Sequence, residues 1–267
     1  MLQSKARLLE LNAKLADTLT SKGVAATADE TTTALVNKVA DITSGDTIYF
    51  SNDGRMYTKN IILPEGLTEI GSWAFYKCVN LESVKIPYGV KKIGDHTFSY
   101  CESLTGIDIP DSVTVIANMA FEKCESLKNI TIPDSVEDIG AYSFQSCIIL
   151  TSITIPNRTT QIGMYAFLNC ISLSSLVIPS SVINIKNAAF KNCQNLEFVT
   201  LGNGFNADKL DLSASTLYTR DTILQWLNAL ADRTGQTAYT LTIGATNLAK
   251  LTEEDILIAT NKNWTLA

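Results

Sequence analysis

Six cysteines, one histidine and an adjacent pair of carboxylates are the residues of this chain whose types and spacing could do chemistry. The cysteines are Cys78, Cys101, Cys124, Cys147, Cys170 and Cys193, each 23 residues after the last. Six cysteines could form disulfides, and clustered ones could hold zinc. The spacing favours neither. A fixed step stacks equivalent positions about 4.8 Å apart, the distance between neighbouring strands, so the side chains run parallel rather than toward each other. A zinc site needs four ligands converging on one point, whereas a column of thiols extends along a line. Each cysteine lies in Phe-x-x-Cys-x-x-Leu, between apolar positions where a small thiol packs well. The expectation is buried free thiols, with oxidation confined to an end of the stack.

The single histidine, His96, stands in a slot that other turns fill with Trp73, Met119, Tyr142, Tyr165 and Ala188. A column that tolerates such variety reads as ordinary surface or partly buried packing. Two-histidine metal sites are unavailable. Glu137-Asp138 reads as a solvated turn rather than an acid/base couple. No Walker-type loop or GxGxxG arrangement is present. No catalytic residue, metal site or cofactor is expected.

The elements that carry these residues follow the same ruler. Pro64, Pro87, Pro110, Pro133, Pro156 and Pro179 step by 23, as do Phe75, Phe98, Phe121, Phe144, Phe167 and Phe190. A constant period of this kind is a solenoid of stacked units, none of which buries enough surface to fold alone. In the turn from Pro110 to Ile132, the inward residues are Val113, Ile116, Ala120, Phe121, Cys124, Leu127, Ile130 and Ile132. Leu127-x-x-Ile130-x-Ile132 predicts a short buried strand. Proline closes it, Asp111-Ser112 turns, and Val113 to Ile116 forms a second extended piece. The stretch around Ala120-Phe121 suits a helical or 3₁₀ turn. Gly71, Gly94, Gly140 and Gly163 share one slot and are expected to mark a bend with unusual backbone angles, although Ala117 and Lys186 fill it elsewhere.

The pattern Leu-x-x-Ile-x-Ile-Pro-x-x-Val-x-x-Ile-Gly-x-x-Ala-Phe-x-x-Cys resembles the BspA-type leucine-rich repeat family over residues 64–201. The resemblance implies an α/β repeat solenoid, a right-handed leucine-rich-repeat superhelix with short parallel strands. It also implies a binding or adhesion role and an extracellular, cell-surface or particle-associated location. The sequence departs from the pattern at Asn157-Arg158-Thr159, where Asp-Ser-Val is typical, and at Lys186.

Four segments are expected: a two-helix segment over 1–45, a capping β-hairpin over 46–63, the solenoid over 64–205 and an α/β cap over 206–267. The first helix carries Leu8, Leu11, Leu15 and Leu19; the second, about 28–42, follows a Thr27-x-x-Glu30 capping box. These helices dock on the solenoid or associate with another copy, giving a homo-oligomer through residues 1–42. The hairpin turns at Asn52-Asp53-Gly54. In the cap, 219–231 predicts a helix, Tyr239–Ile243 a strand, Thr252-Glu-Glu-Asp255 a helix start and Asn263–Leu266 a final strand. Segments 21–39 and 241–252 resemble tail-associated proteins of phages and prophages from Gram-positive gut bacteria, which implies a place in a particle.

Bulk composition narrows the partner. The chain has 46% hydrophobic residues and a net charge of −6 with no basic stripe, which argues against nucleic acid and anionic membranes. No apolar run reaches the length of a membrane span. Residues Met1 to Arg7 lack the apolar run of a secretory signal, so the chain is expected to stay in its cell, to leave by lysis or within a particle, or to have lost a leader. A protein or glycan partner would meet the variable columns. On the strand face these are Ser83 and Lys85, Gly106 and Asp108, Asn129 and Thr131, Ser152 and Thr154, and Ser175 and Val177. Ile148, Ile149 and Ile171 replace polar residues in the Cys-x-x-Leu loop of turns four and five, with Met164, Leu168, Tyr142 and Tyr165 nearby in sequence. This apolar cluster is either a partner site or a surface covered by the end segments.

Overall fold

The structure, a computed structural model, describes residues 59–63 and 65–267. The two expected N-terminal helices and the hairpin turning at Asn52–Gly54 lie outside the described residues. From Lys59 onward the chain winds through 23-residue turns in which every strand pairing is parallel. The array starts earlier than the proline series suggests: Asn60–Ile62 already pairs with Ser83–Lys85 in the 23-residue register.

Three inter-turn ladders run along the array. The front ladder contains Asn60–Ile62, Ser83–Lys85 and Gly106–Asp108, then Ser152–Thr154, Ser175–Ile178 and Phe198–Leu201. Its alternation of aliphatic inward residues with mostly small or polar outward ones is what a half-buried strand requires. The second ladder joins Lys92–Ile93, Val115–Ile116, Asp138–Ile139, Gln161–Ile162 and Asn184–Ile185 without a break.

The third ladder runs through the segment expected to be helical. That segment is instead a chain of tight turns, with bonds such as Tyr76 N to Trp73 O at 3.1 Å and Cys78 N to Phe75 O at 3.1 Å. Left-handed residues interrupt it at two fixed slots, Trp73, His96, Met119, Tyr142, Tyr165 and Ala188, and Lys77, Tyr100, Lys123, Ser146, Asn169 and Asn192. Each reversal stops helix propagation and turns alternate N–H groups toward the next unit. His96, Phe98 and Tyr100 thus donate to Asn118, Ala120 and Glu122 carbonyls at 2.9, 2.8 and 2.7 Å. No α-helix occurs in the described solenoid turns; the helices among the described residues belong to the cap.

The glycine slot is not the site of unusual backbone angles. Gly94, Gly140 and Gly163 have ordinary φ, and their constraint is close approach. A Cβ on Gly140 would lie 2.5 Å from the carbonyl carbon of Ala117, and one on Gly163 would lie 2.4 Å from that of Gly140. The backbone of one turn there rests on the backbone of the turn before.

The core is a set of columns. The phenylalanine rings stack from Phe75 to Phe190 with centroids 5.2–5.4 Å apart and planes within 11° of parallel. The leucines, cysteines and second-strand isoleucines line up beside them, all buried.

The front ladder breaks at turn three. Asn129–Thr131, an expected strand, pairs with neither neighbour, and no backbone hydrogen bond joins Asn129–Ile132 to the adjacent turns. Ile130 is only half-buried, as is its neighbour Ile107, whereas Val84, Ile153, Leu176 and Val199 in the same column are buried. Gly106 and Asn129, both poor strand formers, meet at this position.

The cap closes the far end much as expected. Helix α1 (Arg220–Ala229) starts on Thr219, whose hydroxyl accepts from Thr222 N. Its Trp226 indole donates to Val199 O at 2.8 Å, satisfying a carbonyl on the last front strand and blunting an edge that would otherwise invite pairing. After α2 (Ala245–Leu248), helix α3 (Glu253–Thr260) has the Thr252–Asp255 capping box. Asp255 also holds Arg220 bidentately at 2.6 and 2.8 Å, which keeps its carboxyl below the usual range. A parallel sheet of Leu210–Asp211, Tyr239–Thr242 and Trp264–Leu266 completes the cap.

Candidate binding surface

The residues that first suggest chemistry hold the frame. All six cysteines are free and buried. The thiols of Cys101, Cys124, Cys147, Cys170 and Cys193 each donate to the carbonyl of a phenylalanine in the preceding turn, at 3.1–3.3 Å. The column therefore supplies a second, weak donor to a carbonyl that already accepts from the cysteine N–H of its own turn. Burial pushes the thiols of Cys78, Cys147 and Cys193 up to about 12 and raises the other three as well. A thiol held protonated is neither nucleophile nor metal ligand.

His96 stacks on Trp73 with centroids 3.6 Å apart, and its Nδ1 lies 3.8 Å from Glu122 Oε2. Asp138 sits in the second ladder and accepts from Gln161 Nε2 at 3.3 Å, while Glu137 is exposed. Among the described residues no group of three His, Cys, Asp or Glu side chains could hold a metal ion.

The apolar cluster of turns four and five is strung along the turn face rather than gathered at one point. Tyr142 and Tyr165 sit in a left-handed slot at the start of the turn segment and stack at 5.0 Å. Leu168 lies in the middle, where its carbonyl accepts from Ser146 N. Ile148, Ile149 and Ile171 lie in the loop after the cysteine, with Ser172 N donating to Ile148 O at 3.2 Å. Ile149, Ile171 and Met164 are exposed at 40, 43 and 40%, so the C-terminal cap does not cover them. Ile148, Leu168 and both tyrosines are half-buried.

On the front face Lys85 pairs in register with Asp108, and Thr154 with Val177. Thr131, expected between them, is exposed but lies in the gap, and Val177 is half-buried. The continuous polar column is thus two half-columns. Phe198, 62% exposed at the end of the front sheet, adds an apolar contact point that the sequence reading passed over; an outward aromatic in the slot of Ser175 was the available signal.

Beside the gap lies a groove of about 620 Å³ lined by Asp111, Thr131, Ile132, Pro133, Asp134, Ser135 and Arg158. Of these, only Thr131 is among the residues singled out as candidates from the sequence; Arg158 is visible there as a departure from the repeat without an assigned role.

Stacked parallel strands, a proline-closed turn and variable side chains on a fixed frame define a leucine-rich repeat solenoid. A family model described as BspA type Leucine rich repeat region matches residues 47–168 and 114–210 in six copies. The chain belongs to that family. Among solved structures it is similar to a T. pallidum leucine rich repeat protein (TpLRR), with 34% identity and a TM-score of 0.51 over 59% of this chain and 83% of that one. It also matches a leucine-rich repeat protein from Eubacterium ventriosum at 23% identity and TM-score 0.39, over 60% of this chain and 43% of that one. A leucine rich cell surface protein from Faecalibacterium prausnitzii matches at 18% identity and TM-score 0.30, over 82% and 92%. No curated protein matches the sequence.

Proposed function

We propose that the chain is a binding or adhesion module without catalytic activity, which meets a protein or glycan partner through the solenoid surface outside the cell or on a particle. The observation that carries this reading is the division of labour between columns. Thiols, phenyl rings and prolines hold the frame, and the exposed positions between them are free to vary, with Ile149, Ile171 and Met164 left exposed along the turn segments. Exposed apolar groups of this kind on a rigid repeat frame mark interaction surfaces. The candidate contacts are Tyr142, Ile148, Ile149, Tyr165, Leu168 and Ile171 on the turn face, and Lys85, Asp108, Thr131, Thr154 and Val177 on the front. Screening wild type, Ile149→Asp and Ile171→Asp against glycan and extracellular-protein arrays tests it. A partner seated on the turn face is expected to be lost by about tenfold or more, since a desolvated contact carries on the order of 1–2 kcal/mol. Variants with wild-type melting and an unaltered ligand profile would remove the turn face from contention.

A second reading rests on the leucine stripe Leu8, Leu11, Leu15 and Leu19. Residues 1–42 would then assemble copies into a phage-like particle or another structure, and the protein would be a building block as well as a binder. Light scattering of the full chain and of a version lacking residues 1–42 is expected to give a larger assembly for the former. Equal monomeric masses would exclude helix-driven assembly.

A further inference from the structure

We propose that the groove at turn three binds a saccharide carrying one carboxylate, with Arg158 gripping the acid group and Asp111 and Asp134 receiving sugar hydroxyls. The proposal deepens the binding-module reading and rests on it. Its starting point is a substitution the fold has compensated. In turns before it, the serine two residues after proline ties its turn to the previous one: Ser112 Oγ donates to Val90 O at 2.8 Å and Ser135 Oγ to Val113 O at 2.6 Å. Arg158 occupies that slot and cannot make the bond. The buried Thr159, one residue on, makes it instead, donating to Val136 O at 2.8 Å. The frame is intact and the guanidinium is released to the surface.

Released, it has no ion pair and no side-chain hydrogen bond with a described residue, and neither do Asp111 and Asp134. All three line the groove with Thr131 and Ser135. Free donors and free acceptors therefore face one concave space without satisfying each other. At about 620 Å³ it is of the size ordinary ligand sites have.

The gap in the front ladder limits what can enter. An inserted peptide strand would need the turns to part by a further ~4.8 Å. The second ladder is unbroken through Lys92–Ile93, Val115–Ile116 and Asp138–Ile139, and the phenyl rings there keep 5.2–5.4 Å centroid spacing. The turns are thus clamped, and a ligand must lie across the groove and bond to side chains. The planar fork of Arg158 matches a carboxylate. The two aspartates repel a second negative charge and suit hydroxyl donors. A single acid group on a polyhydroxylated ring meets both demands; a polyanion does not.

Calorimetric titration of the full chain with sialyllactose, a glucuronate-terminated disaccharide, lactose and heparin tests this. At least one of the two acidic probes is expected to bind, with lactose and heparin weaker by about tenfold or more. Arg158→Ala is expected to lose about tenfold or more toward the acidic probe, Arg158→Lys less, and Asp134→Asn to weaken it too. Since all three side chains are solvent-facing, unchanged thermal melting is the check that these variants remain folded. Failure of both acidic probes to bind, no effect of Arg158→Ala, or tighter binding of heparin overturns the proposal, as does Arg158-dependent capture of an acidic peptide with no saccharide bound. If array ligands are lost in Ile171→Asp but not in Arg158→Ala, the binding module stands and the groove falls.

Discussion

Raising the pH from about 8 to about 10 is expected to remove most of the folded protein's stability, because six buried thiols resist the ionisation that the unfolded chain undergoes. The unfolded thiols titrate near the ordinary thiol value of 9.0, whereas burial pushes Cys78, Cys147 and Cys193 up to about 12 and raises Cys101, Cys124 and Cys170. A folded state that keeps its protons when the unfolded state gives them up loses stability with rising pH. The contribution is complete below about pH 9 and drains away between there and about 12. One unit above the unfolded pKa each thiol costs between about 1 and 2 kcal/mol, so six cost roughly 6–12 kcal/mol, comparable with the whole stability of a typical domain. Urea unfolding of wild type and of Cys124→Ala and Cys147→Ala across this range is the measurement. The alkaline slope should fall with each thiol removed, and the native thiols should not react with a disulfide reagent at neutral pH. Stability that holds steady to about pH 10, or an identical slope in the alanine variants, would mean that the thiol column is not what titrates.

The frame was legible because its constraints act on residue type. A ring that must stack on its equivalent, a thiol that must fit beside it and a proline that must close a strand recur at one spacing, and the cap's Thr219 and Thr252–Asp255 are types that helix starts demand. The left-handed slots were not legible. Trp73, Tyr100 and Lys123 are not residues that prefer positive φ; inter-turn hydrogen bonds such as Tyr100 N to Glu122 O impose it. The glycine slot was visible, yet its cause, backbone resting on backbone at Gly140 and Gly163, belongs to stacking and not to local conformation. The break at turn three was hidden because Ile130 and Ile132 keep the inward pattern of every other turn, while the loss of pairing depends on Gly106 meeting Asn129. The groove asked for still more: Asp111, Asp134 and Arg158 come from three successive turns, and the release of Arg158 makes sense only once Thr159 is seen on Val136 O.

Replacing Phe121 with alanine is expected to cost about 3–5 kcal/mol, near the upper end for a single core truncation. The ring is fully buried and stacks on Phe98 at 5.4 Å and on Phe144 at 5.2 Å. Removing it opens a hole between two rings that the rest of their turns hold in place, so the array cannot collapse to fill it. The same residue also stands at two inter-turn bonds, its N–H donating to Ser143 O at 2.7 Å and its carbonyl accepting from Cys147 Sγ at 3.3 Å. Distortion there loosens the thiol column as well. Phe190→Ala is the informative partner, because Phe190 has one stacked neighbour, Phe167 at 5.3 Å, and lies at the end of the column. In an array whose units are stabilised mainly by nearest neighbours, an interior lesion breaks two interfaces and a terminal one breaks one. Urea titration should therefore show Phe121→Ala losing more than Phe190→Ala, with a broadened or split transition as the turns on either side uncouple. Equal losses and single sharp transitions would mean that the cap and ladders, rather than the phenyl column, carry the cooperativity. The difference bears on binding, since the groove draws Asp111 and Thr131 from the turn of Phe121 and Asp134 and Arg158 from the turns beyond the Phe121–Phe144 step. An array that uncouples there would divide the lining of the groove between two units instead of holding it on one rigid frame.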